Sequence, residues 1–413
     1  MADAAFADVQ YQLMRVYRNR GYIADLSFGQ DAFLGMLKKK KFVTVGGQAD
    51  MVTVGFDGSG VPSNVDGISG TATPSQGVQF AVTPVVMTNL MGISALAASS
   101  GAASIGTIVK PVKHELDQAI RKVSKVAAIE LWSDGFPSIG TIPTAGASTT
   151  LTLGDPDDVI KFSVGDVLVF AAARTTGALR AGSLTVTKVN QNAGTLVVSA
   201  NTNTVASNGD FIFIANTRNT GATKIAITGV QGWLPSAGSA SFFGVDTTVD
   251  DRLIGMQLTA SASDIESAFI DGIAKCLIYS ANGAKDITAF MHPSVWATLS
   301  KAIQSKTIAI MPTEKKGSDG NFLYSGWKVT TPNGTIDVFT PQFCPKAKIF
   351  MLNMTTWTLV GWGIEFPSLI GGNFGAGPPI FMDPATGLVR AMVGGFPQLE
   401  CNAPGWNLTI TLT

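Results

Sequence analysis

The residues that most often carry out chemistry are scarce in this chain. It contains two histidines, His114 and His292, and three cysteines, Cys276, Cys344 and Cys401. A zinc site with Cys and His ligands would need nearly all five to converge from distant positions, because no CxxC pair places two ligands together. Sparse, unpaired cysteines are more typical of small buried side chains in a reducing compartment than of a disulfide framework.

Two short segments nevertheless invite a chemical interpretation. The run Asp155-Pro156-Asp157-Asp158 could present carboxylates to a metal ion, but an Asp before a Pro is also typical of a capped helical turn. His292 precedes Pro293 at a predicted strand-to-helix corner, and no Ser or Cys nucleophile motif accompanies it. We therefore predict a cap at Asp155 and a structural role for His292, with metal binding by the aspartates as the alternative.

Motifs of common enzymes are absent from the sequence. No G-x-x-x-x-G-K-[ST] loop, G-x-S-x-G elbow or H-E-x-x-H zinc motif occurs, and the glycines of GGNFGAGPP near residue 375 do not match G-x-G-x-x-G. A glycosidase needs only two carboxylates that converge in the fold, which a sequence cannot exclude. Nothing indicates such a pair. We therefore predict no catalytic residue, no cofactor and no metal, and that the chain is not an enzyme.

The composition points to a protein that covers its surface with other molecules. The 413 residues include 29 Lys and Arg and 29 Asp and Glu, so the formal net charge is zero. Charged residues make up 14% of the chain, against about 25% in a typical domain. This balance excludes a nucleic-acid binder that works through bulk positive charge, and it excludes a highly charged disordered chain. A large, weakly charged protein tends to associate, and further copies of itself are the simplest cover.

The chain is not expected to enter a membrane or a secretory pathway. Its first 20 residues have no apolar core preceded by positive charge, and residues 85–108 are interrupted by too many polar side chains to span a bilayer. Three N-x-[ST] triplets begin at Asn333, Asn353 and Asn407. Without a secretory route we interpret them as chance matches to the glycosylation motif.

The N-terminal part predicts helices followed by an extended excursion. One helix is expected at residues 6–20 and another at 31–40, with Asp31 near its start and Lys38, Lys39, Lys40 and Lys41 at its end. These lysines either form a solvated helix end or contact phosphate or a partner. Residues 56–77 are rich in Gly, Ser, Thr, Pro and Asn and cannot form a core of their own. We predict a long two-stranded excursion that is ordered by a partner.

Residues 111–132 give the strongest helical pattern in the chain. Apolar side chains recur there every three or four positions, Pro111 stands at the start, and Asp117 and Arg121 form a favourable i,i+4 pair. At about 1.5 Å per residue this helix would be roughly 33 Å long. We expect His114, near its start, to be a solvated surface residue.

The remaining sequence alternates between β-rich and helical patterns. Short β-rich runs separated by turns over residues 143–217 predict a small all-β barrel or sandwich with balanced charge. A helix follows at 263–280, with Ser263 as its cap, then a strand at 287–291 and a helix after Pro293. Asn333-Gly334 marks a hairpin turn, and the C-terminal part is β-rich.

Taken in order, these features resemble the major capsid protein of tailed bacteriophages, with the Hong Kong 97-type fold. An N-terminal arm precedes a Gly/Ser/Thr-rich excursion that ends in GVQFAVTP, and KHELDQAIRKVSKVAAIELWSDG is similar to the family's long spine helix. GWLPSAG with SFFGVDTTVDDRLIG is similar to its connector into the axial domain, and ITAFMHPSVWATLSKAI to its strand-then-helix element. The β-rich block departs from the minimal fold and is similar to the inserted domains of some capsid proteins.

The resemblance implies an α+β fold with an inserted small all-β barrel. It divides the chain into an N-terminal arm (1–41), an extended β-hairpin loop (42–80), a peripheral domain with the spine helix (81–142), the inserted domain (143–222), a return to the peripheral domain (223–260), an axial domain (261–378) and C-terminal strands (379–413).

The resemblance also implies a function. The chain would be a structural subunit that self-assembles as hexamers and pentamers into the icosahedral shell around phage double-stranded DNA. Expected partners besides itself are a separate scaffolding protein, a portal, a decoration protein and DNA bound non-specifically, with no membrane. The expected location is the virion capsid, assembled in the bacterial cytoplasm. Candidate subunit contacts are Lys38, Lys39, Lys40, Lys41, Phe56, Val61, Pro62, Val65 and Ile68.

Two properties of some family members, covalent cross-linking and a cleaved N-terminal segment, are not expected for this chain, and two alternative functions stay open. Some members cross-link Lys to Asn, but the excursion holds Asn64 and no lysine beyond Lys41. Some members carry a long cleaved N-terminal scaffolding segment, whereas only about 40 residues precede the excursion here. The alternatives are another phage structural protein, such as a tail-tube or sheath subunit, and a polysaccharide-acting enzyme with a β accessory module.

Overall fold

The computed structural model describes twelve segments of the chain. They are residues 31–42, 49–57, 76–94, 111–175, 178–217, 225–279, 287–306, 327–331, 334–362, 366–370, 380–382 and 388–413. The helix predicted at residues 6–20 lies outside them.

The helices of the described segments follow the apolar periodicity of the sequence in most places. They are α1 (Ala32–Met36), α2 (Pro111–Glu130), α3 (Val230–Trp233), α4 (Ile265–Tyr279) and α5 (Pro293–Lys306). The three long helices confirm the helical predictions at 111–132, at 263–280 and after Pro293. The start of α4 differs by one residue, because the Asp264 carboxylate, and not Ser263, accepts the Ser267 backbone N–H at 3.4 Å.

Twenty-one strands are distributed along the described segments. They are β1 (Lys38–Phe42), β2 (Asp50–Asp57), β3 (Gln76–Val82), β4 (Met87–Ser94), β5 (Gly140–Thr141), β6 (Thr150–Thr152), β7 (Val167–Ala171), β8 (Leu184–Asn190), β9 (Thr195–Val198), β10 (Phe211–Ile214), β11 (Met256–Ala260), β12 (Ile287–Met291), β13 (Trp327–Thr331), β14 (Gly334–Phe339), β15 (Lys348–Asn353), β16 (Trp357–Trp362), β17 (Ser368–Ile370), β18 (Ile380–Met382), β19 (Leu388–Gly395), β20 (Pro397–Cys401) and β21 (Leu408–Leu412). The strand at 287–291 and the hairpin around Asn333-Gly334, formed by β13 and β14, are as predicted.

The helix predicted at residues 31–40 is wrong in its second half. Asp31 caps α1 as expected, accepting the Phe33 N–H at 2.7 Å, but the helix ends at Met36. Leu37 has extended backbone angles and is buried, and the four lysines that follow form β1. The helix ends because Leu37 takes extended backbone angles that bury its side chain, as that of Phe33 is buried. The strand of lysines that follows is tolerated because it lies at a solvated sheet edge.

A six-stranded mixed sheet carries two helices on one face. Its strand order is β11-β21-β15-β12-β14-β13. Successive residues of β15 point to opposite faces, as strand geometry requires. Ile349 and Met351 therefore pack beneath α4 and α5, whereas Phe350 and Leu352 enter the central core of the protein.

The central core joins this sheet to the N-terminal elements and to the end of α2. The Trp132 ring lies 4.7 Å from the Phe33 ring, 5.6 Å from Phe290 and 5.5 Å from Phe350, measured between centroids. A three-stranded sheet, β1-β16-β20, and a further sheet in which β19 pairs with β4, β17 and β18 surround the same core. Large rings that touch several elements at once couple those elements energetically.

The β-rich block predicted from residue 143 onwards has a sheet and a core of its own. Its strand order is β5-β10-β7-β8-β9-β6, and all its pairings are antiparallel. The end strands β5 and β6 lie close together at one point. There the Gly154 N–H, just after β6, donates to the Thr141 carbonyl of β5 at 2.9 Å. Fourteen buried residues form a hydrophobic cluster separate from the central core.

The chain leaves α2, traverses this block and returns to the same point. After the block, the Val230 N–H donates to the Leu131 carbonyl at 2.8 Å and the Ile227 N–H donates to the Glu130 carboxylate at 3.0 Å. A backbone carbonyl and a carboxylate at the end of α2 therefore accept hydrogen bonds from residues about 100 positions later in the chain. Gly229 is required at this contact, since a Cβ there would overlap the Leu131 carbonyl oxygen.

A buried asparagine fixes the C-terminal strand against the turn between β15 and β16. The Asn407 Oδ1 accepts from the Asn353 N–H at 2.8 Å and from the Trp357 Nε1–H at 2.9 Å, while its Nδ2 donates to the Ala403 carbonyl. Asn353 and Asn407 are fully buried. The asparagines of these two N-x-[ST] triplets are therefore buried and hydrogen-bonded within the fold. The asparagine of the third triplet, Asn333, lies outside the described residues.

Candidate assembly surface

The four lysines proposed as subunit contacts form an exposed edge strand. Lys38, Lys39, Lys40 and Lys41 are all exposed, although successive side chains of a strand point to opposite sides. Along one edge β1 pairs in parallel with β16, from Lys38 opposite Thr358 to Phe42 opposite Trp362. On its other edge no strand pairs with β1 within the described segments. This edge therefore presents backbone donors, acceptors and positive charge together.

The base of the predicted excursion is an antiparallel hairpin. Strands β2 and β3 pair from Asp50 opposite Val82 to Gly55 opposite Gly77. On one face, Val52, Val54, Phe80 and Val82 are buried in the central core; on the other, Met51, Thr53 and Gln79 are exposed. An alternating pattern of this kind indicates a strand pair that packs on one side only.

The hairpin base is anchored on the protein's own body. The Phe80 ring lies 5.3 Å from the Trp233 ring and 6.0 Å from the Phe242 ring, and the Ala81 N–H donates to the Phe243 carbonyl at 2.8 Å. The prediction that a partner orders the excursion therefore does not hold for its base, which is buried within the same chain. Valines in alternation with polar residues in β2 supply enough apolar surface to bury the base within the same chain.

The remaining predicted contact residues are only partly placed. Phe56 lies within β2, and Val61, Pro62, Val65 and Ile68 fall outside the described residues. The Lys40 Nζ donates to the Asp50 carboxylate at 2.9 Å, which joins the lysine strand to the first residue of the hairpin. The structure thus brings β1 and the hairpin base into one surface.

A buried carboxyl group that sequence reasoning missed lies beneath this junction. Glu400 is in β20, almost fully buried, and its Oε1 has no hydrogen-bond partner in the described part of the chain. Burial, assisted by the nearby Asp50 carboxylate, raises the pKa of Glu400 to about 8. Glu400 is therefore mostly protonated at neutral pH. Its only signal in the sequence is a single acidic residue within an apolar strand.

Ion pairs attach the β-rich block to the rest of the protein. The Lys346 Nζ lies 2.6 Å from the Asp155 Oδ1 and 2.6 Å from the Asp157 Oδ2, and Arg174 in the block pairs with Asp134 at 2.6 Å. Lys122 of α2 pairs with Asp166. Since the hydrophobic clusters on the two sides are largely separate, charge pairs contribute much of the specific contact at this junction.

The aspartate run has the predicted capping role. The Asp155 Oδ1 accepts from the Asp157 N–H at 3.0 Å, and Pro156 begins a short 3-10 helix that ends at Lys161. A cavity of about 380 Å³ beside it is lined by Asp155, His292 and Lys346 among others. No group of three His, Cys, Asp or Glu side chains in the described segments is arranged to hold a metal ion.

The other residues considered for chemistry have structural surroundings. The His292 Nδ1 lies 2.7 Å from the Ser294 Oγ and accepts the Ser294 N–H at 3.2 Å, so this histidine caps α5. Burial, assisted by the charge of Lys346, lowers the pKa of His292. All three cysteines are buried free thiols, as predicted, and burial raises the pKa of Cys276 and Cys401 to about 12. These thiols are therefore unreactive at neutral pH.

None of the helices that the structure describes combines the length and the hydrophobicity that a bilayer crossing requires.

Sequence comparisons give no relatives for this chain. No family model matches it. No curated protein matches it significantly either.

Comparison with solved structures does give matches. A chain of the cyanophage A-1(L) capsid asymmetric unit matches with a TM-score of 0.55 and 11% sequence identity over 95% of this chain and 95% of that chain. The capsid of cyanophage P-SCSP1u matches with a TM-score of 0.45 and 8% identity over 95% and 91% of the two chains. The mature capsid of bacteriophage PhiM1 matches with a TM-score of 0.42 and 10% identity over 95% and 91%.

The similarity to the cyanophage A-1(L) chain extends over almost the full length of both proteins. It confirms the expected fold at the level of a mixed α+β protein. The chain therefore shares the fold of the protein in the cyanophage A-1(L) capsid asymmetric unit.

Proposed function

We propose that this chain is the major capsid protein of a tailed bacteriophage. In this role it is a structural subunit, without catalytic activity, that self-assembles into the icosahedral shell around double-stranded DNA. The observation that carries the proposal is the fold shared with the cyanophage A-1(L) capsid chain over 95% of both proteins. The 14% content of charged residues supports it, because charged side chains are depleted where subunit contacts are buried.

The division of the chain expected from the resemblance is part of this proposal. Residues 1–41 are the N-terminal arm, 42–80 the extended loop, 81–142 and 223–260 the peripheral domain, 143–222 an inserted β barrel, 261–378 the axial domain and 379–413 the C-terminal strands. Two features support the inserted barrel. The Gly154 N–H, just after β6, donates to the Thr141 carbonyl of β5, a strand of the same sheet that lies just before residue 143, and the chain returns to the end of α2 after the block. The six-stranded sheet with α4 and α5 supports a separate axial unit.

The proposed subunit contacts are the exposed lysine strand and the far part of the hairpin. Lys38, Lys39, Lys40 and Lys41 lie beside the hairpin base, through the Lys40–Asp50 ion pair. Because the base is anchored on its own body, the hairpin leaves the subunit at a fixed position. Phe56, Val61, Pro62, Val65 and Ile68, beyond or at the end of the base, then contact a neighbouring subunit.

The partners follow from this role. The chain forms hexamers and pentamers with itself, and many modest contacts together close a stable shell. A separate scaffolding protein, a portal and a decoration protein complete the particle, and DNA is enclosed without specific binding. Assembly takes place in the bacterial cytoplasm, and the mature location is the virion capsid.

Imaging of the purified protein tests the function. The full-length chain is concentrated and examined by sedimentation and negative-stain electron microscopy. We expect closed shells or curved arrays of rings. Straight tubes would support a tail-tube or sheath subunit instead, and a monomer or small oligomer at all concentrations would contradict a shell subunit.

Deletion of residues 57–76 tests the assignment of the loop. Because the base strands keep their buried valines and Phe80, the shortened chain should fold but should not form shells. Folding is monitored by circular dichroism and assembly by sedimentation. A shortened chain that forms shells as the complete chain does would contradict the loop assignment.

A further inference from the structure

Helix α4 is apolar on the face that it turns away from its own sheet. Its inner face, with Ile265, Phe269, Ile273 and Cys276, is buried against the six-stranded sheet. On its outer face Ile270 and Ile278 are 58% and 72% exposed, and Ala274 lies between them. Residues four apart lie on one line along a helix, so these three form a continuous outer stripe.

A helix that is apolar on both faces is normally covered on both faces. The charged residues of α4 leave the outer stripe itself apolar. Lys275 points to its own body, where its Nζ donates to the Gln257 carbonyl at 2.7 Å. Asp271 is exposed beside the stripe and makes no ion pair in the described part of the chain. The outer stripe therefore has the composition of a contact surface with one negative charge at its edge.

Helix α5 offers a complementary face on the same side of the sheet. Val295 and Leu299 bury its inner face in the cluster shared with α4, and Ser294, Thr298 and Lys301 are exposed along its outer face. Small polar groups and the methyl group of Thr298 allow an apolar helix to approach closely. Lys301 also makes no ion pair within the described ranges, so it provides a free positive charge at the end of this line.

We propose that the outer stripe of α4 packs against the outer face of α5 in a second copy of this chain, with Asp271 of one copy paired to Lys301 of the next. This inference rests on the proposed function, and it names the contact through which subunits meet side by side. Different faces meet in such a contact, so it is a head-to-tail arrangement, which forms a ring when the rotation from one copy to the next divides a full turn.

The surface continues from α4 towards the hairpin. Tyr279, at the end of α4 and 61% exposed, lines an open groove of about 1050 Å³ together with Thr53 and Gly55 of β2 and with Trp406. The exposed face of the hairpin base is thus adjacent to the apolar stripe. A neighbouring copy seated on α4 would meet both features, which makes a second copy a better fit than a small ligand.

Charge reversal provides the test. Asp271→Lys and Lys301→Asp each place like charges at the proposed contact, so each should lower the yield of rings and shells by roughly tenfold or more. The double variant, with both changes in one chain, restores opposite charges at every contact and should assemble again. Assembly is measured by sedimentation velocity and by counting particles in negative-stain images. Circular dichroism checks that each variant is folded.

An exposed apolar residue outside the stripe supplies the control. Ile278→Asp should abolish assembly, whereas Val164→Asp, at a position 65% exposed in the β-rich block, should assemble as the unaltered chain does. Single reversals that assemble normally, or a double variant that stays as impaired as the singles, would overturn the inference while leaving the shell function intact. If the unaltered chain itself forms no rings or shells, the proposed function fails and the inference fails with it.

Discussion

The Lys346 Nζ lies 2.6 Å from the Oδ1 of Asp155, a residue 191 positions earlier in the chain. This ion pair joins the β-rich block to the body of the protein. The same lysine holds Asp157, while Arg174–Asp134 and Lys122–Asp166 add further pairs at the junction. The block therefore has an internal hydrophobic core and a largely electrostatic attachment. Partly exposed ion pairs are individually weak and are screened by salt. We therefore expect the attachment of the block to weaken as the salt concentration rises.

Replacement of Lys346 tests this attachment. Lys346→Ala removes the pairs with Asp155 and Asp157 and should lower the free energy of unfolding by roughly 0.5–1 kcal/mol at low salt, and by less at high salt. Denaturant unfolding at two salt concentrations measures the effect, and limited proteolysis near residues 143 and 225 reports a loosened block. Lys188→Ala is the control, since Lys188 is exposed in the block and makes no ion pair in the described segments. An equal effect of both variants would contradict the attachment model.

Substitution of Gly229 tests the return of the chain to α2. In Gly229→Ala the new Cβ meets the backbone carbonyls of Leu131 and Glu130, so the contact must open, at a cost of roughly 1–3 kcal/mol in stability. Gly146→Ala is the matched control, because no atom lies within 4 Å of the Cβ it would add. Thermal unfolding of the two variants should therefore separate them by several degrees. Similar melting temperatures would show that the segment after the block does not pack on the helix end.

Glu400 should make stability fall as pH rises. Its pKa is about 8 in the folded chain and 4.5 for an ordinary glutamate, so the folded state keeps a proton that the unfolded state has lost. This favourable contribution is complete below pH 4.5 and is lost as pH rises to about 8. Glu130, whose burial raises its pKa to about 7, contributes a similar decline that ends one pH unit earlier.

Between pH 7 and pH 8 Glu400 is the larger contributor to this decrease, because Glu130 titrates at a lower pH. There Glu400 should lower the free energy of unfolding by up to about 1.4 kcal/mol per pH unit, and Glu400→Gln should remove most of the decrease, because a neutral amide cannot ionise. Glu130→Gln should leave most of this decrease in place and should change the slope mainly around and below pH 7. Denaturant unfolding at several pH values measures both slopes. An unaltered slope in the Glu400 variant would show that this carboxyl group is solvated.

The hairpin base offers a contrast between its two faces. Phe80→Ala removes a fully buried ring that contacts Trp233 and Phe242, and should cost roughly 3–5 kcal/mol in stability. Met51→Ala, in the paired strand but 59% exposed, should change the stability of the isolated subunit by no more than about 0.5 kcal/mol. Denaturant unfolding compares them. A small effect of the Phe80 change would mean that the base does not pack on its own body.

The long elements and the local turn chemistry were predictable from the sequence. Helix α2 has a clear apolar stripe, the Asn333-Gly334 pair marks the β13–β14 turn, and Asp155-Pro156 begins a capped turn as expected. These features depend on neighbouring residues only, so a single sequence contains the information they need.

Features that depend on distant residues were not predictable. The lysines of β1 follow a capped helix in sequence, and only the parallel pairing with β16 makes them a strand. Glu400 lies near Asp50, which is 350 positions earlier in the sequence. Lys346 forms an ion pair with Asp155, which is 191 positions earlier. No local periodicity encodes such pairs, because each is created when separate strands are brought together by the core.

Cryo-electron microscopy of particles formed by the purified full-length chain is the decisive measurement of whether this chain closes into a shell of identical subunits. We expect an icosahedral reconstruction in which residues 57–76 of each subunit lie over a neighbouring copy. A compact monomer at high concentration, with the same residues folded onto their own subunit, would contradict it.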